Sequence, residues 1–184
     1  YLAVARGRVE SSGTVDAPIG RHPTQRTRMA VVSTGKPART HYRVLERFVD
    51  CTLLECELES GRTHQIRVHM TAAGHPLLGD PTYGSGVNRL PKGLAFPRQA
   101  LHASRLALLH PLTGAAMLWR SDLPADMAAL LELLRRQAPL ACADQPVADQ
   151  SHGDHGDEET WRGQAEANLA DDDDEDEDGD LVAP

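Results

Sequence analysis

The chain has 184 residues, enough for one domain with a real core, and it holds no apolar run near the ~18 residues of a membrane-spanning helix and no stretch of signal-peptide character, so a cytoplasmic protein is expected. Its three cysteines, Cys51, Cys56 and Cys142, form no CxxC pair and are odd in number, which implies ordinary reduced thiols in place of a disulfide framework or a zinc site. The net charge of -8 joins two opposite parts: residues 1–140 carry 18 Lys and Arg against 11 Asp and Glu, whereas residues 141–184 carry one Arg against 16 acids. Sixteen of the 18 cations in the first part are Arg, which grips phosphate bidentately and stacks on bases, so that part suits a nucleic-acid partner although the overall pI does not.

Taken in order, residues 1–6 (YLAVAR) alternate as a strand already in progress behind a Tyr in place of Met, and a cut at this point is expected. Further strands are predicted at 28–33, 40–49 and 52–59. The last of these sets Leu54, Cys56 and Leu58 against Glu55, Glu57 and Glu59, the pattern of a half-buried sheet. Thr63 is placed to cap a helix over 63–73, with Ile66, Met70 and Ala73 as its packing stripe, Gly74 as terminator and Pro76 beyond. A Gly- and Pro-rich loop over 79–97 leads to a hairpin, with strands at 103–109 and 115–120 around the turn HPLTG. Leu123, Met127, Leu130, Leu131 and Leu134 then recur at helical spacing over 123–137, with Pro124 in the first turn, as in an amphipathic cover helix. Residues 1–140 form one domain in this reading. The acidic segment 141–184 is expected to be disordered, since its composition buries too little apolar area to offset ordering entropy.

The densest chemistry lies in GRTHQIRVHMTAAGHPLLGDPTYG, residues 61–84, where Arg62, His64, Arg67 and His69 crowd one short helix. So many donors suit phosphates or a buried carboxylate. Arg67 shares a face with Met70, points partly to the core and needs an anionic partner. A structural ion pair with Glu55, Glu57 or Asp80 competes there with a functional role. A metal site is disfavoured, because His64 and His69 are five apart and no Glu follows His64. A Ser104/His102 hydrolase is discounted for want of a GxSxG elbow. Upstream, Arg21, His22, Arg26 and Arg28 crowd GRHPTQRTRM, either as a solvated loop or as phosphate contacts.

The segments YLAVARG, GTVDAPIGRHPTQRTRMAV, GKPARTHYRVLE, ESGRTHQIRVHM, GHPLLGDPTYG, RQALHASRL and HPLTG resemble, in order and spacing, those of the RluA/RluD-type pseudouridine synthases, over about residues 1–137. The resemblance implies an α+β fold, a mixed and largely antiparallel sheet with packed helices, and an RNA-binding cleft. It implies cofactor-free isomerisation of uridine to pseudouridine in large-subunit ribosomal RNA, by a monomer acting on a base drawn out of its stack. By motif position, Tyr1 looks like the family's active-site Tyr and Arg67 like the residue that pairs with the catalytic Asp. Ile66 is then a pocket-wall residue, and Arg62, His64, Arg21, Arg26 and Arg28 are substrate contacts. The family's nucleophile belongs to an Arg-Leu-Asp segment that does not occur in these residues, while Asp16 and Asp80 match positions with loop or packing roles. The expectation is therefore an incomplete catalytic domain, inactive alone, with a non-catalytic RNA-binding remnant as the alternative.

The acidic segment admits two roles, competition with RNA for the basic body or simple solvation. They differ in salt dependence. If the segment competes, cutting the chain after about Pro139 tightens binding to an unrelated RNA at low salt and steepens the slope of log affinity against log salt; superimposable curves leave only solvation.

Overall fold

The computed structural model describes residues 1–84 and 96–137. The acidic segment, Cys142 and most of the loop expected over 79–97 lie outside the described residues. The architecture is α+β. A five-stranded sheet of order β2-β5-β6-β1-β7 is built from β1 (Leu2–Arg6), β2 (Gly13–Asp16), β5 (Arg39–Arg47), β6 (Cys51–Leu58) and β7 (Leu101–His102), and every strand pair within it is antiparallel. β3 (Ile19–Arg21) and β4 (Met29–Val31) form a separate hairpin, as do β8 (Arg105–Leu109) and β9 (Ala116–Arg120). The helices are α1 (Gln65–Ala72) and α2 (Ala125–Gln137).

The period-two alternation of β1 decides which helix covers which face of the sheet. Val4 enters one core with Cys51, Leu53 and the α2 stripe of Met127, Leu130, Leu131 and Leu134, while Ala3 and Ala5 enter another with Leu54, Cys56 and, from α1, Ile66 and Met70. The two small alanines face α1. The chain after α1 then runs along β1, with Arg6 N–H donating to Pro76 O and Leu78 N–H to Val4 O. Because both faces are covered, Cys51 to Leu54 are all buried, and the half-buried pattern expected for the whole of 52–59 holds only in the second half of β6. The two buried thiols are pushed up by desolvation, Cys51 to about 11 and Cys56 to about 12, as inert reduced cysteines.

Both helices start two residues later than expected. Thr63 is exposed and caps nothing: the N-cap of α1 is His64, in left-handed conformation at φ 59°, ψ 22°, with no side-chain cap bond. The polar work at this end is done by Gln65, whose Oε1 accepts from the Arg62 N–H at 3.0 Å and the Ser60 hydroxyl at 2.9 Å. At the other end Gly74 adopts φ 86°, the Gly74 N–H reaches Thr71 O and the His75 N–H reaches Met70 O, a Schellman ending that matches the expected terminator.

Gly79 has a stricter requirement. Its φ is 70° and a Cβ there would lie 2.2 Å from Arg98 O, a backbone atom that cannot swing aside. Gly79→Ala is expected to destabilise the fold by more than ~1 kcal/mol, read as a lowered urea midpoint at unchanged m-value; a midpoint within error of the parent would show that the loop can shift.

Residues 107–117 form the tip of the β8–β9 hairpin. Within it the His110 N–H donates to Ala115 O, the Gly114 N–H to His110 O, and His110 Nδ1 accepts from the Leu112 and Thr113 N–H groups. Among the described residues no helix is long and apolar enough to cross a membrane.

Candidate active site

Arg67 projects from the buried face of α1, its side chain 10% exposed, and meets a fully buried Asp80. The contact is side-on and bidentate: Nε donates to Oδ2 and Nη2 to Oδ1, both at 2.8 Å. Of the three partners open to Arg67 in the sequence, Asp80 is the one it takes. Asp80 Oδ1 also accepts the backbone N–H groups of Thr82 at 2.9 Å and Tyr83 at 3.0 Å, so the loop after α1 is wrapped around its own carboxylate. Burial alone would push the Asp80 carboxyl up, yet the Arg67 guanidinium and the two N–H donors outweigh it and hold the carboxyl below its ordinary value. Arg67 is in turn held charged by the hydrogen bonds to Asp80.

Tyr83 closes the arrangement. Its ring lies under the Arg67 guanidinium, 4.8 Å from Cζ to ring centroid, and its hydroxyl accepts from the Met29 N–H at 3.0 Å and sits 2.9 Å from His64 Nδ1. Burial and the nearby Arg67 lower the His64 pKa. His64 is the one non-glycine residue at positive φ among the described residues, a local strain of about 1–3 kcal/mol that the surrounding bonds must offset.

Two of the expected site residues, His64 and Arg67, meet here, and Arg62 lies just before the same helix. His64 and Arg67 meet through Tyr83, and Arg62 is tied to α1 by its backbone bond to Gln65, its Nε donating to Pro37 O at 3.2 Å. The basic stretch 21–28, whose strands were foreseen only over 28–33, is the β3–β4 hairpin: Arg21 and Arg26 are exposed, Arg21 Nη1 donates to Arg26 O, and His22 Nδ1 accepts the Thr24 and Gln25 N–H groups that shape the turn. Arg28 is half-buried beside Met29, which joins Ile19, Ala38, Val68 and Tyr83 in a third apolar cluster. Ile66 is 2% exposed and packed among Ala3, Leu54 and Cys56. Tyr1 is 38% exposed at the edge of β1, its backbone exchanging hydrogen bonds with Cys56, and no bond links it to Arg67 among the described residues. No cluster of His, Cys, Asp and Glu suited to a metal occurs among the described residues.

Sequence reasoning missed Tyr83 and the buried polar chain beneath α1. In that chain Gln65 Nε2 donates to Thr40 Oγ1 at 3.1 Å, Thr40 Oγ1 lies 2.9 Å from His69 Nδ1, and His69 Nε2 lies 2.9 Å from Ala17 O. The signal available was the pair Gln65 and His69, four residues apart and so on one face of a short helix, with Thr40 and Ala17 as their partners.

Residues 1–72, which contain Arg67 and both ends of the Gln65–Thr40–His69 chain, match the family model described as RNA pseudouridylate synthase. The chain is 60% identical over 150 residues to ribosomal large subunit pseudouridine synthase D of Nitrosomonas europaea, covering 80% of this chain and 43% of that protein. The chain belongs to the pseudouridine synthase family. The synthase D of Escherichia coli K12 is 54% identical over 144 residues, covering 73% of this chain and 44% of its own length. Among solved structures, human RNA pseudouridylate synthase domain containing 1 superposes with a TM-score of 0.57 at 29% identity, covering 74% of this chain and 65% of that one. The chain thus spans less than half the length of the curated relatives it matches.

Proposed function

We propose that this pseudouridine synthase chain serves the isomerisation of uridine to pseudouridine in large-subunit ribosomal RNA, as part of a cytoplasmic, monomeric enzyme whose nucleophilic Asp is supplied by an Arg-Leu-Asp segment outside these residues. The observation that carries the reading is the 60% identity to a ribosomal large subunit pseudouridine synthase. The geometry of Arg67 supports it. Side-on pairing to Asp80 consumes Nε and one N–H of Nη2, which leaves the Nη1–Nη2 edge for a second carboxylate. Arg67 is in this reading a hub: Asp80 fixes its plane, and its remaining edge orients and keeps ionised the carboxylate that acts on the ribose side of the uridine.

The chemistry needs no cofactor. The N-glycosidic bond breaks, the uracil turns in its pocket, a bond forms between the ribose carbon and carbon five, and the proton of carbon five is removed. Tyr1 contacts the base or assists that removal, and Ile66 backs the pocket wall. The exposed cations of the β3–β4 hairpin, Arg21 and Arg26, with Arg28 and Arg62, face the RNA and supply phosphate contacts, the sequence-independent share of affinity, and His64 adds a contact to base or ribose.

The test joins this chain to the part of the Nitrosomonas europaea relative outside the match and incubates the fusion with large-subunit ribosomal RNA. Pseudouridine is then mapped by carbodiimide-dependent reverse-transcription stops. The fusion is expected to form pseudouridine and the 184-residue chain alone to form none. A fusion that binds the RNA yet modifies no uridine would leave the non-catalytic RNA-binding reading standing, and activity of the chain alone would overturn the need for the Arg-Leu-Asp segment.

A further inference from the structure

The Tyr83 hydroxyl has one proton to give and two neighbours. The Met29 backbone N–H can only donate, so at that contact the phenol oxygen is the acceptor. If His64 Nδ1 carried a proton as well, the oxygen would accept twice and its own hydrogen would be left without an acceptor beside a side chain only 8% exposed. The chain of donors closes in one direction: Met29 N–H to Tyr83 oxygen, Tyr83 O–H to His64 Nδ1. His64 is then a neutral imidazole whose proton sits on Nε2, the nitrogen with no partner among the described residues, on a residue that is itself exposed. The charged groups that face it oppose each other, and burial together with Arg67 prevails over Asp80, which favours the imidazolium. Arg67, one turn along α1, disfavours a second cation, and Asp80 is already neutralised by Arg67.

We propose that Tyr83 is a positioning residue for RNA recognition, which fixes His64 in the Nε2–H tautomer and so presents a neutral, directional N–H donor on the RNA-facing side of α1, while tying that donor to the basic hairpin through Met29. The proposal rests on the reading that this face meets RNA. It differs from a phosphate contact in chemistry: an uncharged imidazole N–H adds little to a polyanion's field but discriminates among acceptors, such as a uracil carbonyl or a ribose 2′-hydroxyl. The left-handed backbone at His64 fits this role, because it turns the side chain out of the helix at the point where α1 begins.

Tautomer and binding are measured separately, so that the proposal and the reading beneath it fail in different ways. Long-range nitrogen-15 correlation spectra of the 184-residue chain are expected to show His64 as the Nε2–H tautomer at neutral pH, and Tyr83→Phe, which keeps the ring under Arg67, to give mixed tautomers and an upward-shifted His64 titration. A His64 that is Nδ1-protonated or cationic at neutral pH in the parent chain overturns the proposal whatever RNA does. For binding, affinity for a uridine-containing RNA stem-loop is compared across Tyr83→Phe, His64→Asn and the double variant; Asn tolerates the left-handed backbone and keeps the site folded. Tyr83→Phe is expected to weaken binding roughly three- to tenfold, the worth of one hydrogen bond, and to have no further effect once His64 is Asn. Equal losses in both backgrounds would make Tyr83 a structural residue only. A chain that binds no RNA, with the tautomer as stated, would overturn the RNA role of the donor and the functional reading together while leaving the hydrogen-bond chain intact.

Discussion

Arg67→Ala is expected to remove about 3–5 kcal/mol of stability, because it strands a fully buried carboxylate whose main counter-charge is this guanidinium. Urea unfolding of the 184-residue chain reads the loss directly. The same pair sets an acid limit on the fold. The Asp80 carboxyl is held below its ordinary value in the folded chain, so its contribution is fully present above the unfolded value of about 3.9 and is lost as pH falls through the lower folded value. In Arg67→Ala that contribution should be largely gone at every pH, and the stability difference from the parent should shrink toward zero in strong acid. Arg67→Met combined with Asp80→Asn, which removes both charges, is expected to cost less than the sum of the two single changes. In the active fusion, Arg67→Ala should all but abolish pseudouridine formation while changing RNA affinity by a small factor, since its partners in the proposed function are Asp80 and the nucleophilic carboxylate and not phosphate. Lost affinity with surviving turnover of bound RNA would instead make Arg67 a phosphate ligand.

How far the sequence could be read depended on how local the physics was. β1, β5, β6 and α2 were legible because each carries its own periodicity, and Arg67 was legible as a partly buried guanidinium because the helix face is written in its neighbours. β2 and β3 were not. Gly13–Asp16 and Ile19–Arg21 are short segments containing Gly, without an apolar alternation to mark them, and they become strands only through distant partners, Arg39–Tyr42 for the first and Met29–Val31 for the second. The start of α1 was misplaced for a related reason. Thr63 has the chemistry of a cap, but the competing turn is closed by a Gln65 side chain that simultaneously reaches Ser60, Arg62 and Thr40, a long-range arrangement that no capping preference records.

That arrangement also explains how a helix of eight residues can hold a buried Arg in a fixed position. An isolated helix this short is marginal. α1 is held at its start by the Gln65 bonds, on its apolar face by Ile66 and Met70, and on its polar face by His69 between Thr40 and Ala17, so the Arg67 side chain leaves a backbone fixed on several sides.

Thr40→Val isolates the contribution of the polar face. The valine fills nearly the same space but offers no hydroxyl, so His69 Nδ1 loses its donor in a wholly buried site, while Gln65 Nε2 keeps its 2.9 Å bond to Arg39 O. An unsatisfied buried acceptor costs about 1–3 kcal/mol, and that loss is expected at neutral pH. A pH dependence should accompany it. In the parent, burial lowers the His69 pKa, so the neutral ring contributes stability that is complete above the unfolded value of about 6.5 and is lost as pH falls through the folded value. The Thr40 hydroxyl donates to the neutral ring and opposes protonation. Without it the folded His69 pKa moves back up toward 6.5, so between that value and the parent's folded value the variant should lose less stability per pH unit than the parent does. Denaturation curves collected from pH 8 to pH 5 separate the two effects. A variant that is destabilised by a constant amount across that range would mean that Thr40 acts through packing alone, with no hold on the His69 proton.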